Sequence, residues 1–379
     1  MRELLTGSQA IVRGALHAGC NFFAGYPITP ATEILLLMLR ELPKVGGVAI
    51  QAEDEIASMG FCLGAAMSGA RVMTATSGPG ISLYSENIGL AIMGEVPLVI
   101  VDVQRMGPAT GGATTVAQGD VQFLRWGTSG GYPVIVLSPS NVAECYSLTM
   151  RAFDLAERFR LPVFLATDKE TALTLATVDV DEFVPLPVRE RLSADPQDEF
   201  VPYRVTTAEE VPPMSPMGGL HIVRFTTSTH DEFGQLTKLP DKVGKLNQRL
   251  AAKVEAHVDE IALVKTDLQE GADTLVISYG ITACAAHEAV SLARQFGHRL
   301  SSLTIQSLWP VPEHQIRKAL DGVRRVVIPE LNLGQYQREV QRLAPCGVEV
   351  IGLHRVDGEL ISPQDIIDSC LSSVVSDVK

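Results

Sequence analysis

Four short groups of residues carry side chains that could do chemistry. Glu53, Asp54 and Glu55 stand in three consecutive positions, between an apolar run and a segment of small residues. Tyr26-Pro27-Ile28-Thr29-Pro30 and Ser77-Gly78-Pro79-Gly80 each follow an apolar run, and Arg105 ends another. A carboxylate supplies acid–base chemistry. A hydroxyl donates or accepts a hydrogen bond. A Gly-rich turn opening a helix offers backbone N–H groups to an anion, or is a tight turn and nothing more. A guanidinium at a strand end suits a bidentate carboxylate, or serves as an ordinary ion-pair residue.

The elements that must position these groups follow from hydrophobic patterning. "CNFFAGYP", "GVAIQA", "RVMTATSG", "PLVIVDVQ", "YPVIVLSP" and "LPVFLAT" read as buried strands alternating with helices. That pattern implies a parallel sheet covered on both faces. In such sheets ligands bind outside the carboxyl ends of the strands, and all four groups fall there. Glu53 stands on the strand side, pointing toward the crevice. Asp54 and Glu55 fall in the first turn of the next helix, where negative charge is favoured by about 0.3–1 kcal/mol and needs no further explanation. Thr29 precedes a proline suited to the first helical position, so it reads as an N-cap that could also turn toward a ligand. Gly60 and Gly64 suggest dense packing against the sheet or another subunit.

From about residue 178 the texture becomes rich in Pro and charge, an extended surface connector followed by a helix over roughly 241–267. From 271 the α/β rhythm resumes with "TLVISYG", "RLSSLTIQSLW", "RRVVIPELN" and "VEVIGLHRV" as four strands. The expected division is therefore 1–177, 178–270 and 271–379, within the usual ~100–200 residues per domain for a 379-residue chain.

A net charge of -13 and the absence of a basic stripe argue against a nucleic-acid partner. No apolar run reaches the ~18 residues of a membrane span, and "MRELLTGSQAIVRG" lacks the form of a signal peptide. The cytoplasm is the expected location. Six cysteines without a Cys-x-x-Cys give neither a disulfide framework nor an iron–sulfur site held by this chain alone. No metal site, phosphate loop, dinucleotide fingerprint or nucleophile elbow is present.

Taken together, "GYPITPATE", "QAEDEIASMGFCLGAAMSGARVMTATSGPG", "PLVIVDVQR", "HDEFG" (His230–Gly234) and "VVIPELNLGQ" (Val326–Gln335) resemble the α subunit of thiamine diphosphate-dependent 2-oxoacid:ferredoxin oxidoreductases, the 2-oxoglutarate members above all. The resemblance implies an α/β fold: a doubly wound domain like the pyrimidine-binding domain of thiamine enzymes, then a domain like the transketolase C-terminal domain. It implies that a Glu at the position of Glu53 bonds to N1′ of the aminopyrimidine and drives the tautomer that deprotonates thiazolium C2. Pro27, Ile28, Glu53, Ser77 and Gly78 would face the cofactor, while Thr29 and Arg105 would meet the substrate's oxo and carboxylate oxygens. The reaction implied is coenzyme A-dependent oxidative decarboxylation of a 2-oxoacid, or its reverse, with electrons passing to ferredoxin.

The Gly-Asp-Gly…Asn motif for Mg2+ and the cysteines for a [4Fe-4S] cluster are missing; in the family they lie on a separate β subunit. An (αβ)2 heterotetramer is expected. Pyruvate or branched-chain 2-oxoacids are alternative substrates, and a different thiamine enzyme half or a non-catalytic scaffold are alternative functions.

Overall fold

The computed structural model of the chain describes residues 1–372. The first half builds β1 (Arg2–Leu5), α1 (Gly7–His17), β2 (Phe22–Gly25), α2 (Thr32–Glu41), β3 (Val48–Gln51), α3 (Glu55–Met67), β4 (Val72–Thr76), α4 (Gly78–Gly94) and β5 (Leu98–Gln104). It continues with α5 (Val121–Trp126), β6 (Ile135–Leu137), α6 (Val142–Phe159), β7 (Pro162–Asp168), α7 (Lys169–Leu173) and β8 (Ala176–Asp179). Strands β2 to β7 form a parallel sheet in the order β6-β7-β5-β4-β2-β3, and β8 pairs with β1 beside it.

The sequence of β5 shows why the sheet is buried on both faces. Val99, Val101 and Val103 join one core with α1, α2 and α6; Leu98 and Ile100 join another with α3 and α4. Strand β2 has β3 on one side and β4 on the other, so the chain departs in opposite directions from it. The carboxyl ends of β2 and β4 therefore flank a topological switch point, where a crevice opens.

Helix α3 starts on Asp54, whose carboxylate accepts from the Ala57 N–H at 2.7 Å. Helix α4 starts on Ser77 and lies against Glu55. A Cβ at Gly80 would stand 1.9 Å from Thr76 Oγ1 and 3.0 Å from Glu55 Cγ, so only glycine permits this approach. Gly60 and Gly64 meet nothing within 4 Å and are exposed, so they do not pack on the sheet as one reading of the sequence expected.

The connector runs over the surface and is pinned by arginines. Arg191 makes two bonds to the buried Glu157 carboxylate, 2.7 and 2.9 Å, and caps the carbonyls of Ala66 and Ala70. The helix expected over 241–267 is instead α8 (Pro240–Glu255), a short α9 (Val258–Ile261) and a strand β9 (Val264–Asp267). The second half adds β10 (Thr274–Ser278), α10 (Thr282–Gln295), β11 (Leu300–Ile305), β12 (Ser307–Trp309), α11 (Glu313–Ala319), β13 (Arg325–Glu330), α12 (Gln337–Leu343), β14 (Glu349–His354) and α13 (Pro363–Leu371). Its sheet has the order β14-β13-β10-β11-β9, parallel except for β9.

The run read as one strand, "RLSSLTIQSLW", is two. At Gln306 the chain leaves its own sheet, and β12 adds antiparallel to β6 of the first. The halves are also joined by polar contacts. Asn332 donates to Gln118 O at 2.8 Å and Gln335 to Gly119 O at 2.6 Å. Thus "VVIPELNLGQ" works as a seam.

At the far end of α4, Glu95 is fully buried in a left-handed conformation (φ 53°). Its carboxylate meets Arg249 Nη2 at 2.6 Å and Lys253 Nζ at 3.0 Å, tying α8 to the first half. Burial works against the ionised form, but Lys253, then Arg249 and Arg160, hold the carboxyl well below its usual range. Glu95→Gln should leave buried cations unpaired and cost roughly 3–5 kcal/mol. Urea unfolding should show this deficit from pH 5 to 8. It should shrink as pH falls from the ordinary carboxylate range toward the lowered native value, where the native protein loses the same contribution.

Candidate active site

Beyond β2, Tyr26 to Thr29 run along the sheet edge before a turn closed by Thr32 N–H to Ile28 O, 2.9 Å. Pro27 and Thr29 are exposed; Ile28 packs on the core behind. The capping expected of Thr29 is not observed. The turn at 29–31 intervenes, α2 starts at Thr32 with Ala31 in the cap position, and no side chain caps it. The Thr29 hydroxyl is therefore not committed to the helix.

Arg105, at the end of β5, is buried at 6% exposure. One Nη donates to the Thr29 carbonyl across the end of β4, and the other to Thr110 O at 3.2 Å. Its Nε has no partner, and among the described residues no carboxylate lies within 4.0 Å of the guanidinium. The guanidinium is thus held by backbone dipoles, with no direct ion pair and only the more distant Asp120 carboxyl to feel its charge, an arrangement that could receive a carboxylate.

The three acids separate by environment. Asp54 is used as a cap. Glu53 is exposed just beyond edge strand β3. Glu55 is 8% exposed, with a Gly80 Cβ position 3.1 Å from its Oε1 and the buried Tyr84 close enough to feel its charge. Glu55 stands in the first turn of α3, as the sequence reading has it; its burial comes from the packing of α3 against α4 at Gly80.

Ser77 is fully buried and caps nothing; its Oγ and Thr76 Oγ1 are both without partners. Asp120 sits over the α4 start, 3.6 Å from a Gly78 Cβ position, with its N–H on Gln104 Oε1 at 3.1 Å. Its carboxyl faces that of Asp102 on β5, which is fully buried. Burial, then the neighbouring carboxyl, pushes Asp102 up. Burial pushes Asp120 up to about 6 although Arg105 opposes it.

The region 13–239 matches the family described as "Pyruvate flavodoxin/ferredoxin oxidoreductase, thiamine diP-bdg", and 272–366 matches the pyruvate:ferredoxin oxidoreductase core domain II. The chain belongs to the pyruvate flavodoxin/ferredoxin oxidoreductase family. Within this family it is 42% identical to the 2-oxoglutarate synthase subunit KorA of Methanothermobacter thermautotrophicus over 97% of each chain. It is 34% identical to the ketoisovalerate oxidoreductase subunit VorB of the same organism, over 97% of this chain and 96% of that one.

The fold matches a solved 2-oxoglutarate:ferredoxin oxidoreductase from Magnetococcus marinus, TM-score 0.90 and 32% identity, over 97% of this chain. The chain spans 64% of that longer one. A split-gene transketolase shares the fold at TM-score 0.55 and 13% identity over 96% of this chain. The α/β fold read from the sequence, thiamine-enzyme and transketolase-like, is the one found.

The matched family description names a thiamine diphosphate-binding domain. At the α4 start the buried Glu55 carboxyl and the unpartnered Thr76 hydroxyl close on the same Gly80 position. Among the described residues no group of three or more His, Cys, Asp or Glu could hold a metal ion.

The raised Asp120 pKa has a consequence for stability. A carboxyl that holds its proton more tightly folded than unfolded makes stability fall as pH rises from about 4 to 6. Asp120→Asn should remove that loss. Its melting temperature should exceed the native one by more at pH 8 than at pH 5.

Proposed function

We propose that this chain is the α subunit of a 2-oxoglutarate:ferredoxin oxidoreductase, forming acyl-CoA and CO2 from the 2-oxoacid or running in reverse. The observation that carries the reading is a buried guanidinium without a direct ion pair, bonded across the switch point to the Thr29 carbonyl, in a chain that also buries the Glu55 carboxyl at the start of α3. Identity to 2-oxoglutarate synthase subunits exceeds that to ketoisovalerate oxidoreductase subunits, which favours the longer dicarboxylate substrate.

Thiamine diphosphate, when bound, supplies a carbon nucleophile for the 2-oxo carbon and a place for the electron pair that CO2 leaves behind. The chain's own residues do the rest. Arg105 grips the substrate carboxylate, and the Thr29 hydroxyl, not engaged in capping, donates to the 2-oxo oxygen. Pro27, Ile28, Ser77 and Gly78 form the wall against the aminopyrimidine. Glu55 holds a proton at N1′, because that exchange needs a carboxylate in a dry site and burial distinguishes Glu55 from its neighbours. Glu53 is the second reading, favoured by its place at the end of β3; a partner subunit would have to cover it.

A β subunit completes the site with the diphosphate and Mg2+ positions and a [4Fe-4S] cluster, in an (αβ)2 assembly that reduces ferredoxin. Ile56 and Phe61 on α3 and Leu83 on α4 are exposed beside the crevice, with the bare Gly60 and Gly64 between. A partner that buries them would close the crevice to water.

Three substitutions in the two-subunit enzyme test these roles. Glu55→Gln should lower kcat by roughly 10²–10⁴-fold with the complex still assembled, while Glu53→Gln stays within about threefold of native. The reverse result would transfer the role to Glu53, and full activity in both would sink the thiamine assignment. Arg105→Lys should raise the KM for 2-oxoglutarate by about tenfold or more, since an ammonium cannot reproduce the fork; an unchanged KM would remove Arg105 from substrate binding.

A further inference from the structure

At the opposite end of α4 from the crevice lies a second place built for a ligand. Seventeen residues of helix at 1.5 Å per residue put it about 25 Å from Ser77. There α8 and the connector enclose a cavity of about 470 Å³, the size of a site for a small organic molecule. Tyr203 and His230, their rings tilted at 40° with centroids 4.0 Å apart, form one wall; Thr206, Lys245 and Arg249 form others.

The charge around this cavity does not balance. Of the acids around it, Asp231 is taken by Lys242 at 2.9 Å and Glu232 by Arg204 at 3.2 Å, while Glu210 accepts from Thr206 and Thr207 on the wall. Behind the wall the single carboxylate of Glu95 faces three buried cations, Arg249, Lys253 and Arg160. Arg160 is satisfied by the carbonyls of Glu95, Pro212 and Pro213. Arg249 is not. It is 4% exposed, one Nη meets Glu95, and the other Nη is buried without a hydrogen-bond partner. Lys245, exposed on the next turn of α8, makes no ion pair among the described residues. Burial, with Arg249 and Arg160 alongside, lowers Lys253 to about 8. A buried guanidinium with an open donor is costly unless something completes it. In a chain of net charge -13, such a local excess of positive charge has a purpose other than general surface attraction.

We propose that this cavity binds a small anion, one bearing a phosphoryl or carboxylate group, with Arg249 and Lys245 on its oxygens and the Tyr203–His230 wall against its body. The site is separate from the crevice, and the proposal does not depend on the function assigned there.

The test is isothermal titration calorimetry on the full-length chain purified with its partner subunit, at constant ionic strength set with chloride. Inorganic phosphate and succinate are titrated separately as probes. Saturable binding of one or both is expected, and the tighter of the two names the head group. Lys245→Gln should weaken that binding about tenfold, as should Arg249→Gln. Lys245 is exposed and makes no structural contact, so its variant remains decisive if loss of Arg249 prevents folding. No saturable heat with either anion would overturn the proposal. So would binding that persists unchanged in Lys245→Gln, which would place the anion at Arg105 instead.

Discussion

The bond from Arg105 to the Thr29 carbonyl organises the crevice. It reaches from the end of β5 past β4 to the segment leaving β2, so it spans the switch point that the strand order creates. The same guanidinium pins the loop after β5 through Thr110. Because its hydrogen-bond partners are carbonyls and not carboxylates, it fixes the backbone without being consumed in an ion pair. Stability and binding are thus supplied by different parts of one interaction: dipoles hold the group, and the charge is left for a substrate.

The acids around it follow the same logic of burial. Asp54 satisfies the start of α3. Glu55 is drawn inside because Gly80 lets α4 approach it. Asp102 and Asp120 face each other where both cannot comfortably ionise, which tempers the acidity next to Arg105. Carboxylates close in sequence or in space acquire different tasks from their surroundings alone.

Much of this was legible in the sequence. Strands buried on both faces read as continuous apolar runs, and their carboxyl ends gave the positions of Thr29, Ser77 and Arg105. The errors have physical causes. Apolar alternation runs through Gln306 without a break, so a strand that changes sheets looks like one strand. The capping reading of Thr29 assumed that a helix begins at the proline, whereas a turn comes first. The burial of Glu55 depends on a glycine 25 positions later, and no local pattern carries that. The pocket on α8 was invisible because its walls come from three segments distant in sequence, around Tyr203, His230 and Arg249.

The relatives are named as subunits, and the proposed function therefore predicts an activity divided between chains. The direct measurement is coenzyme A-dependent reduction of a viologen dye, without air, by this chain alone, by its co-expressed partner alone, and by the two together, with 2-oxoglutarate, pyruvate and 2-oxoisovalerate in parallel. The account predicts reduction only with both chains and fastest with 2-oxoglutarate. Reduction by either chain alone would contradict the divided site, as would a complex holding cluster and thiamine diphosphate that reduces dye with none of the three acids.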